Sequence, residues 1–563
     1  MKRFYLFLFF AGFFFSEGMA QVSKRFLLEE RQSMPYMAPP EDQRSTPAFR
    51  YDSANFFTTQ VNVNSLGGNL TGDAANEPSI AVDPTNPNRI VIGWRQFDNV
   101  ESSFRQAGYA YSMDGGEHWN NPGVVIDPGN FRSDPVLDFD SDGNFYYNSL
   151  GVSNGGGNMW TDVFRITDGG FEWDEGTYAW GGDKQWMRID RTESIGEGNI
   201  YCNWTQYYSV TDDGSFTRST DGGDSYENCV PVIDDPFWGT LAVGPEGELY
   251  EVGNSDAYQS GVLVVKSINA KYADSIVSWH HVSWVNLHGK LSGWSSINPQ
   301  GLVGQAWVDV DRSEGEGRGY VYVLASVQRT DINDPADVMF ARSTDGGITW
   351  DEPIRINTDT DHSDFQWMGT MSVAPDGRID VVWLDTRDAP SNQPHKSALY
   401  YSYSIDHGET FSPNEKLTPL FDPHLGYPQQ QKMGDYFDMV SDLNGAHLAW
   451  AATFNGEEDV YYAHIVPSCV TKVSQPNKAI SKVTIYPNPV DERSVISYQL
   501  DKKESVTIEI FDNLGRKIST RTHQVQQKGV HKVKLLEDNL LPGIYLVVVK
   551  TEEWMSREKF VVR

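Results

Sequence analysis

Acidic, amide and aromatic side chains open short apolar segments at seven places in the sequence. Such groups can transfer protons, hold a cation or bind sugar hydroxyls. The residues are Glu77, Asp134, Asp183 with Gln185, Trp238, Gln305, Asp364 with Gln366, and Asp435 with Tyr436. If they converge on one centre they would form an acid/base site. The alternative is a ring of hydrated polar strand starts around a channel.

Two arginines and two tryptophans extend this set. Arg95 in "GWRQFDN" and Arg387 in "WLDTRDAP" follow apolar segments, where they could neutralise the acids or bind a substrate carboxylate bidentately. Trp186 in "DKQWM" and Trp367 in "DFQWM" could stack on sugar rings or belong to the core. We therefore predict Tyr436, Asp435, Asp364 and Asp134 as catalytic residues. The predicted substrate-binding residues are Glu77, Arg95, Asp183, Gln185, Trp186, Gln366, Trp367 and Arg387.

Seven repeated segments must position these residues, and each pattern predicts a strand, a turn and a second strand. They cover residues 78–94, 134–150, 185–204, 238–253, 305–325, 366–384 and 435–452. Units of this kind cannot bury their faces alone, so the repeat predicts an all-β fold, a β-propeller with seven blades favoured and six as the alternative. The last unit ends at 460–465 without a fourth strand. A strand near 56–66 is expected to complete it.

A second repeat is a tight turn built on Asp-Gly-Gly or Asp-His-Gly. It occurs as "YSMDGGEHW" (111–119), "RITDGGFEW" (165–173), "RSTDGGDSY" (218–226), "RSTDGGITW" (342–350) and "YSIDHGETF" (403–411). The Asp can accept backbone N–H bonds and the Gly supplies positive φ. In an antiparallel meander these turns lie at the end opposite the strand starts. The predicted structural aspartates are therefore Asp114, Asp168, Asp221, Asp345 and Asp406.

These turns resemble the Asp box of sialidases, S-x-D-x-G-x-x-W/F, and the resemblance implies a sialidase-like propeller. Sialidases hold the sialic acid carboxylate with three arginines and use a Tyr nucleophile with an acidic partner. Tyr436 stands at a plausible nucleophile position and Asp435 beside it is an available acid, whereas the Glu partner of the sialidase tyrosine and the arginine clamp are not found. Asn76 and Glu77 stand where the first arginine motif is expected. An acid there would repel a sialic carboxylate, so the sequence does not predict exo-sialidase activity.

Two function classes remain open. One is an enzyme, a glycoside hydrolase or polysaccharide lyase, acting on an extracellular glycan. The other is a non-catalytic propeller that binds glycan or protein at the cell surface.

The chain ends predict export. Residues 1–20 combine Lys2 and Arg3, a short apolar run and a small-residue end, which is typical of a cleaved signal peptide. We expect an N-terminal extension over 21–55, the propeller over 56–466 and a linker over 467–480. Residues 481–563, with "VTIYPNPV", "FDNLGRKI" and "LLPGIYLVVVK", resemble the C-terminal sorting domain of Bacteroidetes type IX secretion cargo. The resemblance implies a small β-sandwich, the type IX machinery as a partner, and an outer-membrane surface or extracellular location.

The net charge, the motif content and the cysteines bear on which partners, cofactors and disulfides the sequence predicts. The net charge is −32, while residues 481–563 hold 14 Lys and Arg against 11 Asp and Glu, so the acidity lies in the larger domain and disfavours nucleic acid as a partner. No cofactor motif, metal-ligand spacing or membrane span of the mature chain is recognised. "DFDSDG" (138–143) reads as a turn rather than a calcium loop, because no Glu closes it. Cys202 and Cys229 could form a disulfide or remain thiols.

Overall fold

The computed structural model describes residues 34–152, 158–167, 169–206, 209–211, 214–255, 260–469, 483–490, 493–500, 502–512, 516–535, 540–551 and 555–563. The predicted signal peptide, Asp168 and most of the predicted linker lie outside them. The chain divides into two compact units, Met1–Ser468 and Cys469–Arg563. None of the described residues lies in a helix, so the predicted all-β class is confirmed for this part of the chain. A helix of the length and apolarity needed to cross a membrane is likewise absent from it.

The first unit begins with four short strands and continues with sheets in sequence order. These four strands are β1 (Ser45–Pro47), β2 (Arg50–Asp52), β3 (Phe56–Gln60) and β4 (Gly68–Leu70), and β1 pairs with β4. The first sheet comprises β5 (Ala74–Val82), β6 (Ile90–Phe97), β7 (Gln106–Ser112) and β8 (Asn120–Val124). The second comprises β9 (Ser133–Phe139), β10 (Phe145–Val152), β11 (Met159–Ile166) and β12 (Thr177–Tyr178).

The next three sheets continue the antiparallel pattern. The third holds β13 (Asp183–Ile189), β14 (Ile200–Thr205) and β15 (Phe216–Ser219). The fourth holds β16 (Leu241–Val243), β17 (Leu249–Gly253), β18 (Val262–Ser267) and β19 (His281–Val285). The fifth holds β20 (Gly289–Lys290), β21 (Trp307–Val310), β22 (Val321–Arg329), β23 (Asp337–Ser343) and β24 (Ile354–Arg355).

The last two sheets bring the ends of this unit together. The sixth holds β25 (Gln366–Val373), β26 (Ile379–Asp385), β27 (Ala398–Ser404) and β28 (Glu415–Lys416). The seventh holds β29 (Asp438–Ser441), β30 (Ala446–Ala452) and β31 (Asp459–Ile465), followed by β3 and β2 from the start of the chain. The pairing of Phe56 with Ile465 and of Gln60 with Tyr461 confirms the expectation that an N-terminal strand completes the last unit.

The inner strands β5, β9, β13, β16, β21, β25 and β29 contact one another in cyclic order, and β29 returns to β5. A hydrogen bond crosses every junction between neighbouring sheets. Six of them run from a backbone N–H to a side-chain oxygen: Ile80 to Asp438, Leu137 to Ser79, Ile189 to Asp138, Val308 to Thr240, Val373 to Asp309 and Ser441 to Ser372. At the seventh, Arg188 Nε donates to Leu241 O. Short polar side chains thus take part in six of the seven junction hydrogen bonds.

The core lies between the sheets and is rich in tryptophan. Trp94, Trp186, Trp204, Trp367, Trp383 and Trp450 are almost fully buried. Cys202 is buried and accepts a hydrogen bond from Asn148, while the half-buried Cys229 donates to Thr211, so both cysteines are free thiols. In the turn at 138–143, Asp140 accepts bonds from the Asp142 and Asn144 amides, which is the predicted turn.

The second unit consists of two antiparallel sheets. One comprises β32 (Thr484–Tyr486), β33 (Val495–Leu500) and β36 (Gly529–Lys534). The other comprises β34 (Glu504–Asp512), β35 (Lys517–Gln526), β37 (Gly543–Lys550) and β38 (Met555–Val562). Both sheets contribute to one apolar cluster that includes Ile496, Ile508, Val547 and Phe560.

Candidate functional site

The inner strands enter their sheets through left-handed backbone. The φ angle is +48° at Glu77, +44° at Asp134, +53° at Lys184, +59° at Trp238 and +55° at Met368. Such conformations cost about 1–3 kcal/mol each in a non-glycine residue and persist only where the surroundings impose them. The pairing register also shifts between Asn76 and Ser79 and between Asp183 and Trp186. A bulge of this kind redirects a side chain, and here it gathers charged residues from separate sheets.

Several predicted site residues meet in a buried network of ion pairs. Glu77 lies 3.3 Å from the Arg95 guanidinium and 3.0 Å from Lys432 Nζ. Asp435 Oδ2 lies 2.6 Å from both Lys184 Nζ and Lys432 Nζ. These five side chains are each 2% exposed or less. We call them the ion-pair cluster. The sequence predicts its two acids and Arg95 as site residues, but neither of its lysines.

Asp134 and Asp183 adjoin this cluster. The Asp134 carboxylate accepts a hydrogen bond from Ser133, and its backbone carbonyl accepts one from the Gln185 amide. Asp183 lies 4.0 Å from Lys184 Nζ. The structure therefore brings Glu77, Arg95, Asp134, Asp183, Gln185 and Asp435 together, as the convergence of strand starts predicts.

Two loops cover the ion-pair cluster. In the loop after β28, Gln430 accepts a hydrogen bond from Arg95 at 2.7 Å. The same loop is joined to the loop before β21, where Asn298 Nδ2 donates to the Gly434 carbonyl at 2.8 Å and Asn298 Oδ1 accepts from the Met433 amide at 3.0 Å. The Leu302 amide donates to Asp435 Oδ1 at 2.7 Å. Both oxygens of Asp435 are consequently committed within the protein.

Tyr436 lies beneath this cover. Its hydroxyl donates to the Pro135 carbonyl at 2.7 Å, and its ring packs edge-on against Trp186, which in turn meets Trp307. Burial, with Glu77 and Asp134 nearby, raises the pKa of Tyr436 well above its usual value. The tyrosine is therefore a protonated hydrogen-bond donor. Trp186 is a core residue here, as one of the two sequence interpretations holds.

Nearby basic side chains keep Asp435 and the adjoining Asp134 ionised. Burial alone would raise the pKa of Asp435, but Lys184 and Lys432 hold it well below the usual value. Burial likewise opposes ionisation of Asp134, and Lys184 and Arg95 outweigh it, so the pKa of that carboxyl is lowered. Glu77 differs, because burial raises its pKa despite Arg95 and Lys432. An acid held ionised far below neutral pH is a poor proton donor at neutral pH.

Asp364, Gln366 and Arg387 form a separate group around Asp385. Arg387 Nη2 lies 2.6 Å from Asp385 Oδ2, its guanidinium covers the Tyr400 ring, and Gln366 Nε2 donates to Asp385 Oδ1 at 3.3 Å. Asp364 is partly exposed. Burial and the charges of Asp361, Asp385 and Asp359 raise its pKa to about 6. Trp367 is fully buried, with its indole N–H donating to Ser397 at 3.1 Å.

The Asp-Gly-Gly turns lie at the other end of the sheets. In the first sheet Val82 pairs with Ile90, and Ile90 pairs in turn with Ser112, so these three residues lie at the same end of the sheet as the Asp-Gly-Gly turn. Asn76 pairs with Arg95 at the opposite end, which holds the ion-pair cluster. In the four described turns the serine hydroxyl accepts from a glycine amide and the aspartate accepts from the amide four residues on. The serine–aspartate pairs are Ser112 and Asp114, Ser219 and Asp221, Ser343 and Asp345, and Ser404 and Asp406. The predicted Asp168 lies outside the described residues.

Comparison with known proteins identifies the C-terminal unit. Residues 484–563 match the family described as the secretion system C-terminal sorting domain. No curated protein matches the chain.

Among solved structures, a protein of unknown function from Dyadobacter fermentans is 14% identical with a TM-score of 0.42, covering 76% of this chain and 100% of its own. YCF48 bound to D1 peptide is 11% identical with a TM-score of 0.38, covering 77% and 100%. The Hadza microbial sialidase Hz136 is 12% identical with a TM-score of 0.37, covering 70% and 66%. The chain thus carries a type IX secretion sorting domain at its C-terminal end, which directs it to the cell surface or the extracellular space.

Proposed function

We propose that residues 56–466 form a seven-bladed β-propeller that binds an extracellular glycan without cleaving it. Residues 481–563 form a β-sandwich that directs the export of the protein. The observation that carries this proposal is the closed ion-pair cluster. Asp435 of this cluster and its neighbour Tyr436 are among the catalytic residues predicted from the sequence, yet Asp435 is held between two lysines and Tyr436 donates to a backbone carbonyl. A reacting substrate has to reach such groups, and both are buried under loops.

The blade assignment rests on the cyclic order of the inner strands and on the seven junction hydrogen bonds. The return of β3 to β31 supports closure, because it pairs the edge that β31 would otherwise leave exposed. Non-catalytic propellers offer their turns and central openings as binding surfaces, and the sorting domain supplies display at the cell surface.

A panel of immobilised and soluble polysaccharides, including sialylated and uronic-acid polymers, tests the proposal on the full chain. We expect retention on at least one immobilised glycan and no new reducing ends or unsaturated products in solution. Product release that Asp435→Asn or Tyr436→Phe abolishes in a folded variant would show that the ion-pair cluster is catalytic. Failure to retain any glycan would leave the binding proposal without support.

The partial exposure of Asp364 favours a second candidate function, glycoside hydrolysis at the Asp385 group. A carboxyl with a pKa of about 6 can donate a proton to a leaving oxygen near neutral pH. In that case Asp364→Asn would abolish product release from the same panel while Asp435→Asn would not. Absence of product from the wild-type chain would exclude this candidate for the glycans used.

A further inference from the structure

A cavity of about 480 Å³ opens at the centre of the first unit, at the end of the sheets opposite the ion-pair cluster. Its walls come from the ends of the inner strands and from the turns that follow them in six of the seven sheets. Ligand pockets in proteins typically enclose roughly 300–1,000 Å³, so its size suits a small ligand or one or two sugar residues. None of the predicted site residues lines it.

Three arginines line this cavity: Arg188, Arg191 and Arg312. Their side chains are 17%, 22% and 31% exposed, so none of the three is fully buried. Arg191 Nη1 lies 2.5 Å from Asp138 and Arg312 Nη1 lies 3.1 Å from Asp309. Within the described part of the chain, the hydrogen bonds of Arg191 and Arg312 use Nη1 alone, and no bond involves Nη2 of any of the three.

A repeated sequence places two of these arginines. Arg191 lies in "DRTESIGEGN" and Arg312 in "DRSEGEGRG", at the same position of the turn after the inner strand. The preceding aspartate shapes each turn, since Asp190 accepts from the Thr192 amide at 2.9 Å and Asp311 from the Ser313 amide at 2.8 Å. The turn does not require the arginine itself, whose side chain extends instead towards the cavity.

The acids beside these arginines are already engaged by the backbone. Asp138 accepts from the Ile189 amide at 2.7 Å, and Asp309 accepts from the Val373 amide at 2.8 Å and from the Val310 amide at 2.8 Å. Asp138 and Asp309 therefore hold the guanidinium groups of Arg191 and Arg312 in place through Nη1 and leave their Nη2 groups unbonded. Asp83, Asp309 and Asp442 line the same cavity, and Asp83 pairs with Arg89 at 3.2 Å, so an anion would bind on the Nη2 side of the arginines, away from their carboxylate partners.

We infer that Arg188, Arg191 and Arg312 bind the carboxylate of an acidic sugar, so that the ligand of this propeller is a uronic-acid glycan. A planar guanidinium matches a carboxylate bidentately, and the free Nη2 groups supply the donors. Val440, which is partly buried, and Leu443, which is exposed, line the same cavity and offer apolar surface to a sugar ring. The inference rests on the proposed glycan-binding function and names its ligand class.

Calorimetric titration of the full chain with trigalacturonate tests this assignment, and its methyl ester is the matched ligand without charge. We expect the ester to bind at least about tenfold more weakly than the acid, because a charge-assisted pair is lost. Arg312→Gln should weaken binding of the acid by a similar factor. Arg318→Gln is the matched control, since Arg318 lies six residues further on, is 37% exposed and does not line the cavity.

Arg191→Gln provides a second variant, and thermal unfolding of each variant checks its fold. Because Arg191 neutralises the buried Asp138, Arg312→Gln decides the question if Arg191→Gln fails to fold. Equal affinity for the acid and its ester, or an Arg312→Gln chain that binds the acid like the wild type, would overturn the inference. Retention of neutral glycans in the panel would then still support the binding function. A chain that retains no glycan fails both.

Discussion

The Lys184 ammonium lies 2.6 Å from the Asp435 carboxylate, and both side chains are almost fully buried. Lys432, three residues before Asp435 in the same loop, lies 2.6 Å from the same oxygen. The residue that the sequence marks most clearly as an acid catalyst is therefore a counter-ion for two lysines. The ion pair between Lys184 and Asp435 joins strand β13 of the third sheet to the loop before β29 of the seventh sheet. The ion-pair cluster therefore has a structural role.

Asp435→Asn should lower the free energy of unfolding by about 3–5 kcal/mol, because it leaves buried lysines without their carboxylate. Urea unfolding of the full chain measures the change. Asp388→Asn is the control, since Asp388 lies 2.7 Å from Lys416 but both side chains are more than a third exposed. That exposed pair should contribute less than about 1 kcal/mol. Equal effects of the two substitutions would contradict the structural role of Asp435.

Gly434→Ala should disrupt the cover of the ion-pair cluster. Gly434 has φ of +96°, and an added Cβ would lie 2.5 Å from Glu77 Cγ and 2.9 Å from the Glu77 amide nitrogen. The backbone strain and the overlap act together, so we expect a loss of more than about 1 kcal/mol in unfolding free energy. Gly456→Ala tests φ alone, because Gly456 has φ of +83° and no atom within 4 Å of the added Cβ. A smaller loss at Gly434 than at Gly456 would contradict this account.

The local part of the fold could be predicted from the sequence, and the long-range part only where repetition revealed it. Apolar residues that alternate or run continuously on both sides of a turn rich in Gly, Asp, Pro or Asn predict strands such as β5 and β6. Repetition of that unit predicted the seven segments and placed their polar starts together. The expectation for a strand near 56–66 followed from a missing fourth strand, which is a count rather than a local signal.

Partners of buried charges could not be predicted in this way. Lys184 and Asp435 are far apart in sequence, and a single lysine in "DKQWM" carries no sign of where its ammonium will lie. The sequence does contain a pattern at the arginine-lined cavity, because "DRTE" and "DRSE" repeat at equivalent turns. The repeat marks two equivalent turns, but it does not indicate that their arginines line one cavity.

Removal of residues 21–60 should prevent stable closure of the first unit. It deletes β3, whose five residue pairs with β31 occupy that strand's edge, and it removes Thr58, which accepts a hydrogen bond from the buried Trp450 indole at 3.2 Å. An unpaired hydrophobic edge strand promotes association. We expect oligomers in size-exclusion chromatography and a lower midpoint of thermal unfolding. Removal of residues 21–33 alone keeps β1 to β3 and should leave both unchanged, and a monomeric, equally stable 21–60 deletion would contradict closure by β3.

The cysteines should differ sharply in reactivity. Burial raises the pKa of the Cys202 thiol and excludes reagent, whereas Cys229 is half-buried. In the folded chain we expect iodoacetamide to modify Cys229 and to spare Cys202, and both should react after unfolding in urea. Peptide mass spectrometry distinguishes the two sites. A peptide linked through Cys202 and Cys229 in a non-reduced digest would contradict the free thiols.

Stability at acid pH should depend on the turn that contains Asp345. Burial opposes ionisation there, but hydrogen bonds from the Thr349 hydroxyl and amide, Ser343 and the Ile348 amide together outweigh it and lower the pKa of Asp345 to about 2. A carboxyl with a lowered pKa in the folded state stabilises it above the unfolded value of about 3.8, and this contribution is lost as pH falls towards 2. Asp345→Asn should therefore lower the unfolding midpoint at pH 6 and converge with the wild type near pH 2. Thermal unfolding at half-unit steps of pH measures both chains, with Asp274→Asn, which is exposed and outside the four described Asp-Gly-Gly turns, as the control. A difference between Asp345→Asn and the wild type that stays constant down to pH 2 would mean that the carboxylate charge does not stabilise the turn.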